Sequence, residues 1–243
     1  MTTPMIRERH ALLLPLLVTL LAVGCGGPST SQPPAGPQTV VDPASALVDA
    51  AAQGNASQVT LRLKAGAQVN GSTRDGRLPL VEAVDAGEFE AVRALVQWGA
   101  DPNLMDGAGQ TALTMAALRG HERIARLLLK EGAAVDLRAA NGNTPLYNAA
   151  LLGRAGIVRA LLEHRANPNA LMPDGGTALT AAARAGQAAA VRALLEGGAD
   201  PNLPGIGGQT PLYWAVYRRD RATADALVAG GADVGAMSLD MLE

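Results

Sequence analysis

The chain repeats itself every 33 residues from about Pro43 to near its C-terminus. A period of that length demands a small supersecondary unit stacked on copies of itself, with no single central core. The register is read by stepping from Thr144. That slot holds Ser45, Leu78, Thr111, Thr177 and Thr210, and two residues on come Leu47, Leu80, Leu113, Leu146, Leu179 and Leu212. Five residues on come Ala50, Ala83, Ala116, Ala149, Ala182 and Ala215. Ala67, Ala100, Ala133, Ala166, Ala199 and Ala232 align further along, as do Asn70, Asn103, Asp136, Asn169 and Asn202. Six units align without a gap.

Each recurrent slot has a physical use. A Thr in the first slot caps a helix by accepting a backbone N–H bond. Pro79, Pro145 and Pro211 follow at the first helical position, where a missing N–H costs nothing. The Ala149-Ala150 and Ala116-Ala117 pairs let two helices approach closely. Gly54, Gly87, Gly120, Gly153 and Gly186 end the first helix of their units, where positive φ is needed. A second apolar helix follows, as in Ile157, Val158, Leu161 and Leu162, spaced for one helical face. Gly66, Gly99, Gly132, Gly198 and Gly231 end that helix, and Gly76, Gly109, Gly142, Gly175 and Gly208 mark a tight turn between units.

The pattern resembles the ankyrin repeat over about residues 43–236, carried by Gly142-Asn143-Thr144-Pro145-Leu146 and Gly198-Ala199-Asp200-Pro201-Asn202. The resemblance implies an all-α ankyrin-repeat solenoid of stacked helix–turn–helix units, with hairpin-like loops projecting at about a right angle. The first unit (about Pro43–Asn70) is expected to be an N-terminal cap and the sixth (Gly208–Ala236) a C-terminal cap, with Met237–Glu243 extending the last helix or fraying. The chain departs from the family in three places. The His that usually follows Thr-Pro-Leu is replaced by Val48, Val81, Thr114, Tyr147, Thr180 and Tyr213, so a bond between neighbouring units is expected to be missing. Arg165 and Arg219 stand where other units have a helix-ending Gly, which weakens those units locally.

Composition fits a stack of small contacts. Ala and Leu supply most of the apolar residues, and aromatics are only 2%. A net charge of −2 leaves no basic excess, so nucleic acid is a poor partner for this chain.

The segment before the repeats carries a different signal. Arg7 and Arg9 precede the apolar run Ala11–Val23, which is too short to span a bilayer but suits a secretory signal. Leu21-Ala22-Val23-Gly24-Cys25 resembles the lipobox of bacterial lipoproteins, with Ala22 where Leu is commonest. That resemblance implies cleavage after residue 24 and acylation of Cys25, giving a lipid anchor in the cell envelope. With Gly26 rather than Asp after the Cys, it implies the outer membrane facing the periplasm if the cell has one. Cys25 is the only cysteine, so an intramolecular disulfide is excluded. The alternative is an ordinary secretory signal with an incidental Cys. Gly26–Val41 has four Pro, three Gly and no charge, and reads as a tether. Extended, it would reach roughly 50 Å.

Nothing in the sequence assembles catalytic chemistry. His121-Glu122 starts like a zinc-protease helix, but Ala125 stands where the second His belongs, so His121 is read as structural. His10 leaves with the signal, and His164 ends a helix. The two lysines, Lys64 and Lys130, do not follow a Gly-rich phosphate loop, and Gly205-Ile206-Gly207-Gly208 is a turn between units. Asp101, Asp200 and Asp233 fall on equivalent positions and read as structural. No enzyme, cofactor or metal is expected.

The family resemblance implies an unknown protein partner on the concave surface, made by turn tips and the first helix of each unit. The expected surface comprises Arg77, Glu82, Asp85, Gln110, Met115, Leu118, Arg119, Asn143, Asn148, Leu151, Leu152, Arg184, Gln209, Trp214, Tyr217 and Arg218. Three of the six aromatics (Tyr213, Trp214 and Tyr217) fall on one helix of the last unit. Exposed aromatics beside Arg are common interface anchors. Trp214 and Tyr217 are assigned to a partner; Tyr213 is balanced between that role and sealing the end of the stack. Phe89 and Trp98 are assigned to packing. The expected function is a monomeric, membrane-anchored interaction module, with restraint of an exported protein as one role and a scaffold arranging several envelope proteins as the alternative.

Overall fold

The computed structural model describes residues 43–236 of the chain. The signal, the lipobox with Cys25, the tether and the tail Met237–Glu243 lie outside the described residues.

Two short helices form in each unit. They are α1 (Pro43–Ala52) and α2 (Ala56–Lys64), α3 (Pro79–Asp85) and α4 (Phe89–Gln97), α5 (Ala112–Arg119) and α6 (Glu122–Lys130). Then come α7 (Pro145–Leu151) and α8 (Ala155–Glu163), α9 (Ala178–Ala185) and α10 (Ala188–Glu196), and α11 (Pro211–Tyr217) and α12 (Arg221–Ala229). Helices this short are marginal alone and hold their form by packing. The first helices stack on one another in the order α1, α3, α5, α7, α9, α11, and the second helices form a parallel row. Among the described residues the element types are helices and turns, and no helix is long and apolar enough to cross a membrane.

The sequence slots do the work expected of them. Thr111, Thr144, Thr177 and Thr210 each accept the N–H three residues on, and Pro79, Pro145 and Pro211 sit in the first helical turn. Two slots differ. Leu78 has no capping side chain, and Ser45 lies inside α1, because that helix already starts at Pro43. The Ala slots are fully buried at Ala83, Ala116, Ala149, Ala182 and Ala215, where nothing larger would fit between adjacent helices. Leu47, Leu95, Leu113, Leu128, Leu146, Leu161, Leu179, Leu194, Leu212 and Leu227 fill one continuous core along the stack.

Arg165 and Arg219 take positive φ (66° and 55°), the conformation that Gly supplies in the other units. An L side chain in that region is strained.

Thr114 and Thr180 turn their hydroxyls on their own units. Each exchanges bonds with the N-cap Thr three residues before it, closing a two-way cap. Bonds between units come instead from the aligned Asn/Asp slot. Asn70, Asn103, Asp136, Asn169 and Asn202 each accept a backbone N–H from the next unit, from Asp101, Ala134, Asn167, Asp200 and Asp233 respectively, at 2.7–3.1 Å. Asp101, Asp200 and Asp233 in turn accept the N–H two residues on, which is the structural role read for them. The turn tips add backbone bonds, Gly107 N–H to Gly76 O at 2.8 Å and Ala140 N–H to Gly109 O at 2.9 Å.

Candidate interaction surface

The tips and first helices place the expected surface residues in one running face, because residues one period apart occupy the same position on successive units. Its chemistry changes along the stack.

At the N-terminal end the charges neutralise one another. Arg77 Nη2 donates to Glu82 Oε2 at 2.9 Å, and its Nη1 lies 3.6 Å from Asp49 Oδ1. The Glu82 bond holds the guanidinium above its ordinary pKa. Arg119 Nε donates to Asp85 Oδ1 at 2.6 Å, joining α5 to α3. That bond likewise raises the Arg119 pKa.

The middle is apolar with a polar inclusion. Met115 is half-buried against the core, and Leu151 packs on the small cluster of Tyr147, Met172 and Ala181. Leu118 is half-buried, while Leu152 is 41% exposed. Asn148 departs from the expectation for a contact residue: it is only 3% exposed, on a helix packed between α5 and α9. Its Oδ1 accepts from Asn143 Nδ2 at 3.4 Å, and its Nδ2 has no hydrogen-bond partner, nor has Gln110 Oε1 one unit earlier.

At the C-terminal end lies an aromatic group. The Tyr213 and Tyr217 rings stack with centroids 6.2 Å apart, and Trp214 meets each edge-on, at 5.4 and 6.1 Å. Trp214 and Tyr213 are half-buried and Tyr217 is 65% exposed. The Arg184 guanidinium lies 6.0 Å from the Trp214 ring centroid, and Arg218 is exposed on the adjoining turn. Gln209 is half-buried at the last tip. Burial raises the pKa of the neighbouring Tyr147 phenol; Asp174 adds to that shift and Arg184 opposes it.

The remaining aromatics divide. Phe89 packs against the core under the Arg123 guanidinium, 3.6 Å from its ring centroid. Trp98 corrects the packing assignment: it is 43% exposed, since the end of α4 points it outside the row of second helices. His121 packs over Gly87 of the preceding unit, and His164 Nδ1 lies 2.9 Å from the Ala160 carbonyl at its helix end. His121 thus packs between units, while His164 is exposed to solvent. Among the described residues no His, Cys, Asp and Glu side chains converge as a metal site would require.

Sequence reasoning missed two features of this face. The mutual neutralisation of Arg77 with Asp49 and Glu82 was legible only as charges on one helix face, not as a closed group. The burial of Asn148 depends on its neighbours, for which the sequence offers no signal.

A family model described as Ankyrin repeats (3 copies) matches residues 99–172 and 165–238, and one described as Ankyrin repeat matches residues 75–107. A search of the curated proteins returned no match. Among solved structures, an ankyrin repeat domain from Acinetobacter baumannii AYE is 30% identical with a TM-score of 0.72, over 77% of this chain and 98% of that one. The human ASB11 ankyrin repeat domain is 28% identical with a TM-score of 0.71, over 80% of this chain and 87% of that one.

Proposed function

The chain belongs to the ankyrin-repeat family, and on that footing we propose that it is a protein-binding module held by lipidated Cys25 on a bacterial envelope membrane. Ankyrin repeats generally bind protein partners, and the fold is a typical non-catalytic scaffold. The observation that carries the binding reading is the aromatic group in which the half-buried Trp214 packs against the core and Tyr217 beside it is 65% exposed. Large rings with Arg beside them supply much area at low entropy cost. The apolar run Ala11–Val23 and the lipobox-like Leu21–Cys25 support the anchor, and the Pro-rich Gly26–Val41 supports a tether holding the repeats off the membrane. The module acts as a monomer without a cofactor, and restrains or regulates an exported protein.

In-cell crosslinking and capture of the full-length chain tests this, run beside a Trp214→Ala/Tyr217→Ala variant. One dominant partner, lost in the variant, is the expected result. A heterogeneous set of weak partners would point to the scaffold role. Replacing Cys25→Ser is expected to move the protein from the membrane to the soluble fraction and to abolish metabolic palmitate labelling. Retention with an unlabelled Cys25 would overturn the anchor.

A further inference from the structure

The charges on the open face are not distributed evenly, and the imbalance points to a partner chemistry. In the N-terminal half each face Arg has a carboxylate: Arg77 has Glu82 and Asp49, and Arg119 has Asp85. In the C-terminal half Arg184 and Arg218 have no carboxylate oxygen of the described residues within 4 Å, although Arg218 acts on Asp220 at longer range. Carboxylates are near but committed elsewhere. Asp174 accepts the Gly176 N–H at 2.9 Å, and Asp220 caps α12 through the Thr223 N–H and hydroxyl, at 3.1 and 2.7 Å. Arg184 is instead set over Trp214, and Arg218 lies beside Gly186, next to Asp220. The exposed Tyr217 shares α11 with Trp214 and meets it edge-on, and two units back lies the exposed Leu152.

We infer that the C-terminal end of this face binds an extended acidic protein segment, whose carboxylates pair with Arg184 and Arg218 around an apolar side chain seated on Trp214 and Tyr217. This rests on the protein-binding reading above. The fork of a guanidinium matches a carboxylate in two parallel bonds, and a ring beneath it holds the fork in plane. A basic segment would meet two positive charges, of which Asp220 offsets Arg218 only in part. A neutral one would leave both arginines unpaired as it displaced their water, which disfavours it.

The test uses the full-length chain in neutral detergent and three synthetic probes of equal length. One alternates Glu with Leu, one Gln with Leu, and one Lys with Leu. Trp214 emission, read in a Trp98→Phe background, reports contact at the site. The Glu probe is expected to bind with a salt-sensitive affinity and to shift Trp214 emission, with the Gln probe weaker by about tenfold or more and the Lys probe silent. Arg184→Gln/Arg218→Gln should abolish the preference for Glu while leaving the melting temperature unchanged. Equal binding of the Glu and Gln probes, or a preference surviving in the double variant, overturns the inference. So does tighter binding to phosphatidylglycerol vesicles than to the Glu probe, which would make the site a lipid contact. A cellular partner lost with Trp214→Ala/Tyr217→Ala but indifferent to the Arg double variant would sink this inference alone and leave the protein-binding role standing.

Discussion

The Arg138 guanidinium donates to the carbonyl of Gly142 at 2.7 Å. In the two preceding units the equivalent turn carbonyl receives a backbone N–H from the next unit, Gly107 to Gly76 and Ala140 to Gly109. One period after Ala140 stands Pro173, which has no N–H to give. Arg138 takes over that acceptor, and its other nitrogen donates to the Leu171 carbonyl at 2.9 Å, so one side chain spans the same boundary.

The substitution of side chain for backbone makes a coupled prediction. Arg138→Ala is expected to lower stability by about 1 kcal/mol, the net worth of an ordinary intramolecular hydrogen bond, because solvent weakens the charge-assisted bond at this exposed site. Pro173→Ala restores an N–H at the turn, so Arg138→Ala should cost less in that background. Urea unfolding of the two single variants and the double variant measures the coupling. Strict additivity would mean that the two residues serve the boundary independently.

Arg165 is expected to be a position where Gly stabilises. An L residue at its φ of 66° costs about 1–2 kcal/mol, against about 0.5–1 kcal/mol for the greater freedom of Gly in the unfolded chain. Arg165→Gly should therefore gain up to about 1.5 kcal/mol, while Arg165→Ala gains nothing. Thermal melts of both variants check it, and equal gains would show that the benefit comes from losing the Arg side chain.

The inter-unit ladder predicts a graded response at Asn103. Its Oδ1 accepts from Ala134 N–H at 2.7 Å and its Nδ2 donates to Gly132 O at 3.3 Å. Asn103→Ala loses both bonds and is expected to cost about 1–2 kcal/mol. Asn103→Asp keeps the acceptor, as Asp136 does one unit later, and should cost less than half as much. Chemical denaturation distinguishes the two.

Asp220 supplies a pH signature. The Thr223 hydroxyl bond holds its carboxyl below the ordinary range; the backbone bonds and Arg218 add to this, and burial opposes it. A depressed folded pKa means that the carboxylate stabilises the fold above the unfolded value near about 4, and that this is lost as pH falls through the folded value. Asp220→Asn keeps a capping oxygen but does not titrate. It should therefore narrow the loss of melting temperature on acidification between about pH 5 and about pH 2 relative to the parent. An unchanged pH profile would place the acid sensitivity elsewhere.

Period and slot chemistry made most of the fold legible. Thr111, Thr144, Thr177 and Thr210 cap, the glycines take positive φ, and the Ala column is buried, because each role is local and recurs with the spacing. The open face was legible as a set of slots but not as chemistry. Asn148 is an unremarkable polar residue in sequence, and its burial arises only when α7 packs between α5 and α9.

The sequence by itself determined the unit, its register and the order of stacking, since a gapless 33-residue period admits one alignment and each unit must cover its neighbour's apolar side. Only the tertiary structure decided which charges cancel. Arg77 and Arg119 meet carboxylates within 4 Å, while Arg184 and Arg218 do not, and ion pairing depends on distances of a few ångströms set by the packing of separate helices. The same packing lets Arg138 serve the Gly142 carbonyl four residues on, which the backbone leaves unserved, and reach Leu171 in the next unit.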